Sequence, residues 1–245
     1  KAAIVLYEKD WDISYSACGL PYYLSGEIKD LGELVPRDAA FFQKTYGVQV
    51  HTRHEVLSVN PSARTLQVKN LHTGAIFEDV YDRLILATGA TAFLPPVEGL
   101  RQKHVFSLRT VEDARQIKAF LDEKRPRRAL IAGSGFVGLE MLESLTRLGV
   151  SVTLAEAAPQ LTPHLDEEMA RHLQALLAEE GADIRLSAGI AAIGEKNATL
   201  SSGETLPADM VLLATGVRPN IRLAREMGLA LGAGGAIRVN ERLET

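Results

Sequence analysis

The segment from Arg127 to Glu156 narrows the possible folds more than any other stretch of the chain. Arg127 to Ala132 is an apolar run of the length of a buried strand, and Gly133-Ser134-Gly135-Phe136-Val137-Gly138 follows it directly. Leu139, Leu142, Leu145 and Leu148 then recur at helical spacing until Gly149, and Val150 to Ala155 forms a second strand ending at the acid Glu156. A G-x-G-x-x-G turn alone says little, because glycine-rich loops are common. Between a strand and a helix, with an acid eighteen residues beyond its last glycine, it reads as the phosphate-binding turn of a dinucleotide fold.

Each residue type there has a physical task. Gly133 permits the tight turn, Gly135 puts no side chain between the backbone and a pyrophosphate, and Gly138 lets helix and strand approach closely. Ser134, Phe136 and Val137 complete the turn, and the helix start presents unpaired N–H groups to phosphate. Glu156 can accept hydrogen bonds from both ribose hydroxyls and repels a 2′-phosphate, and Ala157-Ala158-Pro159-Gln160 brings no arginine to neutralise one. The expected ligand is therefore NADH in preference to NADPH.

The rest of the chain reads as this unit continued and partly repeated. A helix from Asp166 to Glu180 is expected to bury Met169, Leu173, Leu176 and Leu177, with Gly181 closing it. Short alternating strands follow from Ile184 to Leu206, and the strand Met210 to Leu213 runs into Ala214-Thr215-Gly216. The first half has a strand ending in the acid Glu8, short strands between Val48 and Val80, and an apolar run Leu84-Ile85-Leu86 leading into Ala87-Thr88-Gly89. The same tripeptide ends both halves, so Glu8 corresponds to Glu156. A strand, a glycine turn and a helix lie upstream of the unit's second strand at Glu156 but not upstream of the strand ending at Glu8, and the chain is therefore expected to be a piece of a longer protein. Between the halves, Thr110 caps a helix to Lys124 that buries Val111, Ala114, Ile117 and Leu121.

Cys18 is the only cysteine, so it cannot pair within its own chain. It lies at an expected helix start, where a thiolate is favoured, although a lone cysteine also serves as a small buried hydrophobe. Charge and hydropathy exclude other classes. The net charge of −4 and the short run Lys124-Arg125-Pro126-Arg127-Arg128, broken by proline, leave no nucleic-acid footprint. No apolar stretch reaches membrane-spanning length, the histidines show no metal spacing with the cysteine, and the expected location is the cytoplasm.

Two dinucleotide folds, each closed by Ala-Thr-Gly, with the single cysteine in Ser14-x-x-x-Cys18-Gly19-Leu20-Pro21-Tyr22-Tyr23 and with Gly216-Val217-Arg218-Pro219-Asn220 late in the chain, resemble the FAD-dependent pyridine nucleotide-disulfide oxidoreductases. The motif looks like the branch that holds coenzyme A-disulfide reductases, CoA-persulfide reductases and NADH oxidases. The resemblance implies an α/β protein of two Rossmann-like FAD/NAD(P)-binding domains, each with a β-meander insertion, the first incomplete here. The FAD domain with the redox cysteine would span 1–109, the NAD(P)H domain 110–222, and 223–245 would return to the FAD domain.

The resemblance also assigns residues. Glu8 and Lys9 would hold the adenosine ribose of FAD, Val56 would meet adenine through its backbone, Ala87, Thr88 and Gly89 would line the FAD site, and Arg109 would approach the flavin. Gly133 to Gly138 and Glu156 would bind NADH, with Glu140 and Gly216 near the nicotinamide. Ser14 would hydrogen-bond the Cys18 sulfur or its substrate, although a serine there can equally cap a turn. Where relatives place asparagine before the cysteine, this chain has Ala17. The implied partners are a CoA-type thiol or disulfide and a second copy of the chain, joined through a C-terminal domain beyond these residues.

The implied activity carries electrons from NADH through FAD to Cys18 and on to a low-molecular-weight disulfide or persulfide. One alternative cycles Cys18 through sulfenic acid while reducing peroxide or oxygen. Another is an isolated, non-catalytic NAD-binding module, or a redox-inert scaffold in which Cys18 is buried.

Overall fold

The computed structural model describes residues 2–245. In chain order its elements are β1 (Ile4–Glu8), α1 (Leu20–Ser25), α2 (Ala39–Tyr46), β2 (Val48–Thr52), β3 (His54–Asn60), β4 (Thr65–Asn70), β5 (Ile76–Val80), β6 (Ala90–Ala92) and β7 (Val105–Phe106). There follow α3 (Val111–Lys124), β8 (Arg128–Ala132), α4 (Phe136–Arg147), β9 (Ser151–Ala155), α5 (Glu167–Glu179) and β10 (Asp183–Arg185). The last are β11 (Ile190–Ile193), β12 (Asn197–Leu200), β13 (Thr205–Pro207), β14 (Met210–Leu213), β15 (Val217–Pro219) and α6 (Arg222–Glu226).

These elements fall into two compact units. One holds 1–15, 35–91 and 218–245, and the other holds 16–34 and 92–217. The segment bearing Cys18 gathers with the second unit.

The second unit is built on a five-stranded parallel sheet in the order β10-β9-β8-β14-β7. Its central strands read Arg-Ala-Leu-Ile-Ala, Ser-Val-Thr-Leu-Ala and Met-Val-Leu-Leu, near-continuous apolar runs that suit a sheet covered on both faces. Leu130 and Ala132 of β8, with Val211 and Leu213 of β14, pack against Ile193, Ala198 and Leu200 of the antiparallel meander β11-β12-β13. The alternate residues Ala129, Ile131, Met210 and Leu212 are buried on the opposite face.

Helix α3 forms where its periodicity places it. Val111, Ala114, Ile117 and Leu121 are its buried residues. Thr110 Oγ1 accepts the Asp113 N–H at 3.1 Å, while Asp113 Oδ2 accepts the Thr110 N–H at 2.8 Å, closing a capping box. Helix α5 also forms, but its expected stripe is rotated. Met169 and Leu176 are exposed, and the helix rests instead on buried Ala170 with half-buried Leu173 and Leu177, spaced i, i+3, i+7. The small Ala170 side chain sets the contact, turning the helix by about one position from the side on which its largest residues lie.

The first unit carries the parallel pair β1-β2 and the antiparallel meander β3-β4-β5. Tyr7 on β1 donates its hydroxyl to Asp79 Oδ2 at 2.7 Å, which ties the pair to the meander. Leu84-Ile85-Leu86 is not a strand, contrary to its apolar character, and Ile85 is exposed. Its counterpart in the repeat, β14, lies between β8 and β7, whereas 84–86 belongs to no hydrogen-bonded sheet among the described residues. An apolar run becomes a strand only where neighbours complete its backbone hydrogen bonds.

Candidate dinucleotide turn and thiol segment

The glycine turn sits between β8 and α4, as the sequence predicts, and its three glycines are needed for three different reasons. Gly133 adopts φ +105°, and a Cβ there would lie 2.4 Å from the Ala214 carbonyl oxygen. A Cβ on Gly138 would lie 2.0 Å from the Gly133 carbonyl oxygen, so the helix start can seat on the turn only without one. Gly135 differs from both. Its φ of −68° suits any residue, and a Cβ there would meet nothing within 4 Å. Neither backbone nor packing requires glycine at 135, so what that open space fits is a ligand passing close to the backbone. Gly135 is also the N-cap of α4, and no side chain caps that helix. The first-turn N–H groups are thus left for an anion. Phe136 and Val137 are exposed beside the turn.

Glu156 is buried at the end of β9, and its carboxylate is turned towards this loop. Oε2 accepts both the Ser134 N–H at 2.8 Å and the Ser134 hydroxyl at 2.7 Å, and Oε1 accepts the Ala158 N–H at 2.8 Å. A carboxylate offers about four acceptor positions, so about one remains.

Glu8 repeats this local geometry in the first unit. Its Oε1 accepts the Asp10 N–H at 2.9 Å, the same two-residue reach that joins Glu156 to Ala158. The two acids therefore share this local hydrogen bond as well as their place in the repeat.

Both Ala-Thr-Gly turns are clasped by a distant segment. In the first unit, Thr88 donates its hydroxyl to the Asn220 carbonyl at 2.6 Å, and Asn220 returns its amide to the Thr88 carbonyl at 2.8 Å. In the second unit, Thr215 donates to the Phe93 carbonyl at 2.6 Å. Gly89 and Gly216 both take positive φ, +65° and +95°.

The other expected site residues are placed as follows. Lys9 is exposed, and its carbonyl accepts Arg53 Nη1 at 3.3 Å. Val56 lies in β3 with its carbonyl already accepting Arg222 Nη2 at 3.2 Å, so its backbone is not wholly free for a base. Ala87 is exposed in the loop before β6, and Ser14 is half-buried in a bend of the first unit. Arg109 belongs to the second unit, where its N–H is held by Asp113 Oδ2 at 2.9 Å. Glu140 is half-buried on α4, and burial, aided by the Glu143 charge one turn on, raises its carboxyl above the usual range.

Cys18 is exposed. It sits in the 3₁₀ turn Ala17–Gly19, two residues before α1 and not on its first turn. The segment is closed on itself by the Ser16 N–H donating to the Leu34 carbonyl at 2.8 Å. It is also fastened to the dinucleotide helix. Buried Ser144 on α4 donates its hydroxyl to the Pro21 carbonyl at 3.1 Å, and Arg147 pairs with Glu27. Nothing local in the sequence marks Ser144, because its partner lies 123 residues away. Among the described residues no cluster of histidine, cysteine or acid could hold a metal ion, and no helix is long and apolar enough to cross a membrane.

The family model for the pyridine nucleotide-disulphide oxidoreductases matches residues 1–245. An NADH oxidase of Methanocaldococcus jannaschii is 36% identical over 246 residues, covering 99% of this chain and 54% of its own length. A coenzyme A disulfide reductase of Staphylococcus haemolyticus is 31% identical over 242 residues, with the same coverage. The solved structure of reduced Bacillus anthracis CoADR-RHD superposes with a TM-score of 0.96 at 37% identity, covering 99% of this chain and 44% of that one. The chain therefore spans about half the length of the relatives it matches. With a mixed α/β fold on a parallel sheet and a match along its whole length, the chain belongs to the pyridine nucleotide-disulphide oxidoreductases.

Proposed function

We propose that this chain is the dinucleotide-binding and thiol-bearing part of a flavin-dependent enzyme that reduces a low-molecular-weight disulfide or persulfide, such as CoA disulfide, with NADH. The observation that carries the reading is the joining, in one compact unit, of an exposed sole thiol to the helix that opens at the glycine turn. The turn binds the pyrophosphate of NADH through the N–H groups of α4, and Glu156 takes a ribose hydroxyl and turns away a 2′-phosphate. Glu140 borders the nicotinamide. Glu8 and Lys9, with the Thr88–Gly89 turn that Asn220 clasps, hold FAD. Bound FAD supplies two-electron transfer between the pyridine ring and sulfur.

Cys18 does the sulfur chemistry. In the resting protein its sulfur is bonded to a small thiol, RSH, as a mixed disulfide. One NADH and one proton cleave that bond, leaving NAD⁺, the Cys18 thiol and free RSH. The Cys18 thiolate then attacks one sulfur of the next RSSR, forms the mixed disulfide again and expels RS⁻. The sum is NADH + H⁺ + RSSR giving NAD⁺ + 2 RSH. The whole protein is a cytoplasmic homodimer.

The kinship with an NADH oxidase, together with the exposure of Cys18, supports a second reading. In it Cys18 passes through sulfenic acid, and the acceptor is peroxide or oxygen. Steady-state NADH consumption by the FAD-loaded full-length protein separates the two. The first reading expects CoA disulfide or CoA persulfide to be used with a kcat/KM at least about ten-fold above that for peroxide or oxygen. Faster use of peroxide or oxygen selects the second reading, and use of neither acceptor class rejects both.

A further inference from the structure

One residue outside the expected site is both strained and tied to the dinucleotide turn. Thr162 is β-branched, precedes Pro163, and takes φ +45°, a left-handed conformation that its side chain and the following proline both disfavour. It is 1% exposed. Such a conformation persists only where surrounding contacts over-determine it. The Thr162 carbonyl accepts the Leu165 N–H at 2.8 Å, and its other two hydrogen bonds go to one residue. The Thr162 N–H donates to Ser134 Oγ at 2.9 Å, and the Thr162 hydroxyl donates to the Ser134 carbonyl at 3.0 Å.

We propose that Thr162 is a positioning residue for the dinucleotide, acting through Ser134 to hold the Glu156 carboxylate where it reads the adenosine ribose. The proposal rests on the assignment of this turn to NADH. The chain of donors has one direction. Because the Thr162 N–H occupies an acceptor position on Ser134 Oγ, the Ser134 hydroxyl hydrogen is directed at Glu156 Oε2, 2.7 Å away. The Thr162 hydroxyl fixes the peptide that follows Ser134, and the N–H of the peptide before Ser134 also donates to Oε2. Glu156 is thus held in one rotamer by the Ser134 hydroxyl and N–H. The two hydrogen bonds to Ser134 and the fully buried Leu161 keep the strap 159–165 seated on the turn against the strain at Thr162. With that strap loosened, the carboxylate can swing towards water. It then attracts a ribose hydroxyl less and repels a 2′-phosphate less.

The test uses calorimetric binding of ADP-ribose and of 2′-phospho-ADP-ribose to the full-length protein, which involves neither the flavin nor Cys18. Thr162→Ala removes the hydroxyl tie. It is expected to weaken ADP-ribose about five-fold, the scale of one net hydrogen bond, while 2′-phospho-ADP-ribose changes less than about two-fold. The preference for the unphosphorylated ligand therefore falls. Thr162→Ser keeps both donors and is expected to restore the preference to within about two-fold of the parent. If Thr162→Ala does not fold, Thr162→Gly, which relieves the backbone strain while lacking the hydroxyl, is expected to show the same loss of preference. A variant that lowers the melting temperature but leaves the preference unchanged overturns the proposal, because Thr162 is then structural only. A parent protein that fails to bind ADP-ribose at all overturns it together with the NADH assignment.

Discussion

Replacing Cys18 by serine in the FAD-loaded full-length protein is expected to lower NADH-dependent reduction of CoA disulfide by about a thousand-fold or more, because a serine hydroxyl is neither ionised at neutral pH nor able to form a disulfide. Cys18 is exposed, so the change removes one solvent-facing sulfur atom and is expected to leave stability within about 0.5 kcal/mol. Binding of ADP-ribose is expected to stay the same, since the glycine turn and Glu156 are untouched. Retention of disulfide turnover by the serine variant would show that the acceptor bypasses this sulfur. Loss of turnover together with loss of ADP-ribose binding would mean instead that the segment 16–34 had come off α4.

Gly138→Ala is expected to have the largest effect on the fold itself. The added Cβ would stand 2.0 Å from the Gly133 carbonyl oxygen, which is backbone and cannot rotate away. Gly133 in turn is held by its own close approach to the Ala214 carbonyl. Overpacking against a fixed wall of this kind costs about 2–3 kcal/mol, a fall of about 5–10 °C in the melting temperature. Moving α4 off the turn would also displace the N–H groups that face the pyrophosphate. Gly135→Ala provides the contrast. Its Cβ meets no protein atom within 4 Å, and its backbone is in an ordinary region. It is therefore expected to leave the melting temperature within about 1–2 °C while weakening ADP-ribose at least about ten-fold. Calorimetric melting and ADP-ribose titration of the two variants check both statements. Equal losses of stability would contradict the reading of Gly135 as a ligand-facing position.

The same contrast explains how much the amino-acid sequence reveals of this molecule. Gly133, Gly138 and Glu156 could be read in advance because their geometry depends on a strand, a turn and a helix that adjoin in sequence. The buried face of α3 and its Thr110–Asp113 cap are local in the same way. What local pattern misses depends on distant partners. Leu84-Ile85-Leu86 has the composition of a strand but joins no hydrogen-bonded sheet among the described residues. The largest side chains of α5 promise burial at Met169 and Leu176, yet the helix seats on Ala170. The thiol segment is fixed through Ser144, and the Glu156 carboxylate through Ser134 and Thr162. Only the fold brings Ser144 to Pro21, or Thr162 to Ser134. The Thr-Pro dipeptide six residues beyond Glu156 was the one available hint of an unusual backbone there.

The central claim is that two electrons from NADH arrive at one sulfur, and counting thiols tests it most directly. The FAD-loaded full-length protein, first treated with excess CoA disulfide and freed of small molecules, is given one equivalent of NADH per chain without oxygen. Free CoA and alkylation at Cys18 are then measured by mass spectrometry. The account predicts about one CoA released and about one Cys18 newly open to alkylation for each NADH oxidised. Oxidation of NADH with no CoA released and no change at Cys18 would contradict it.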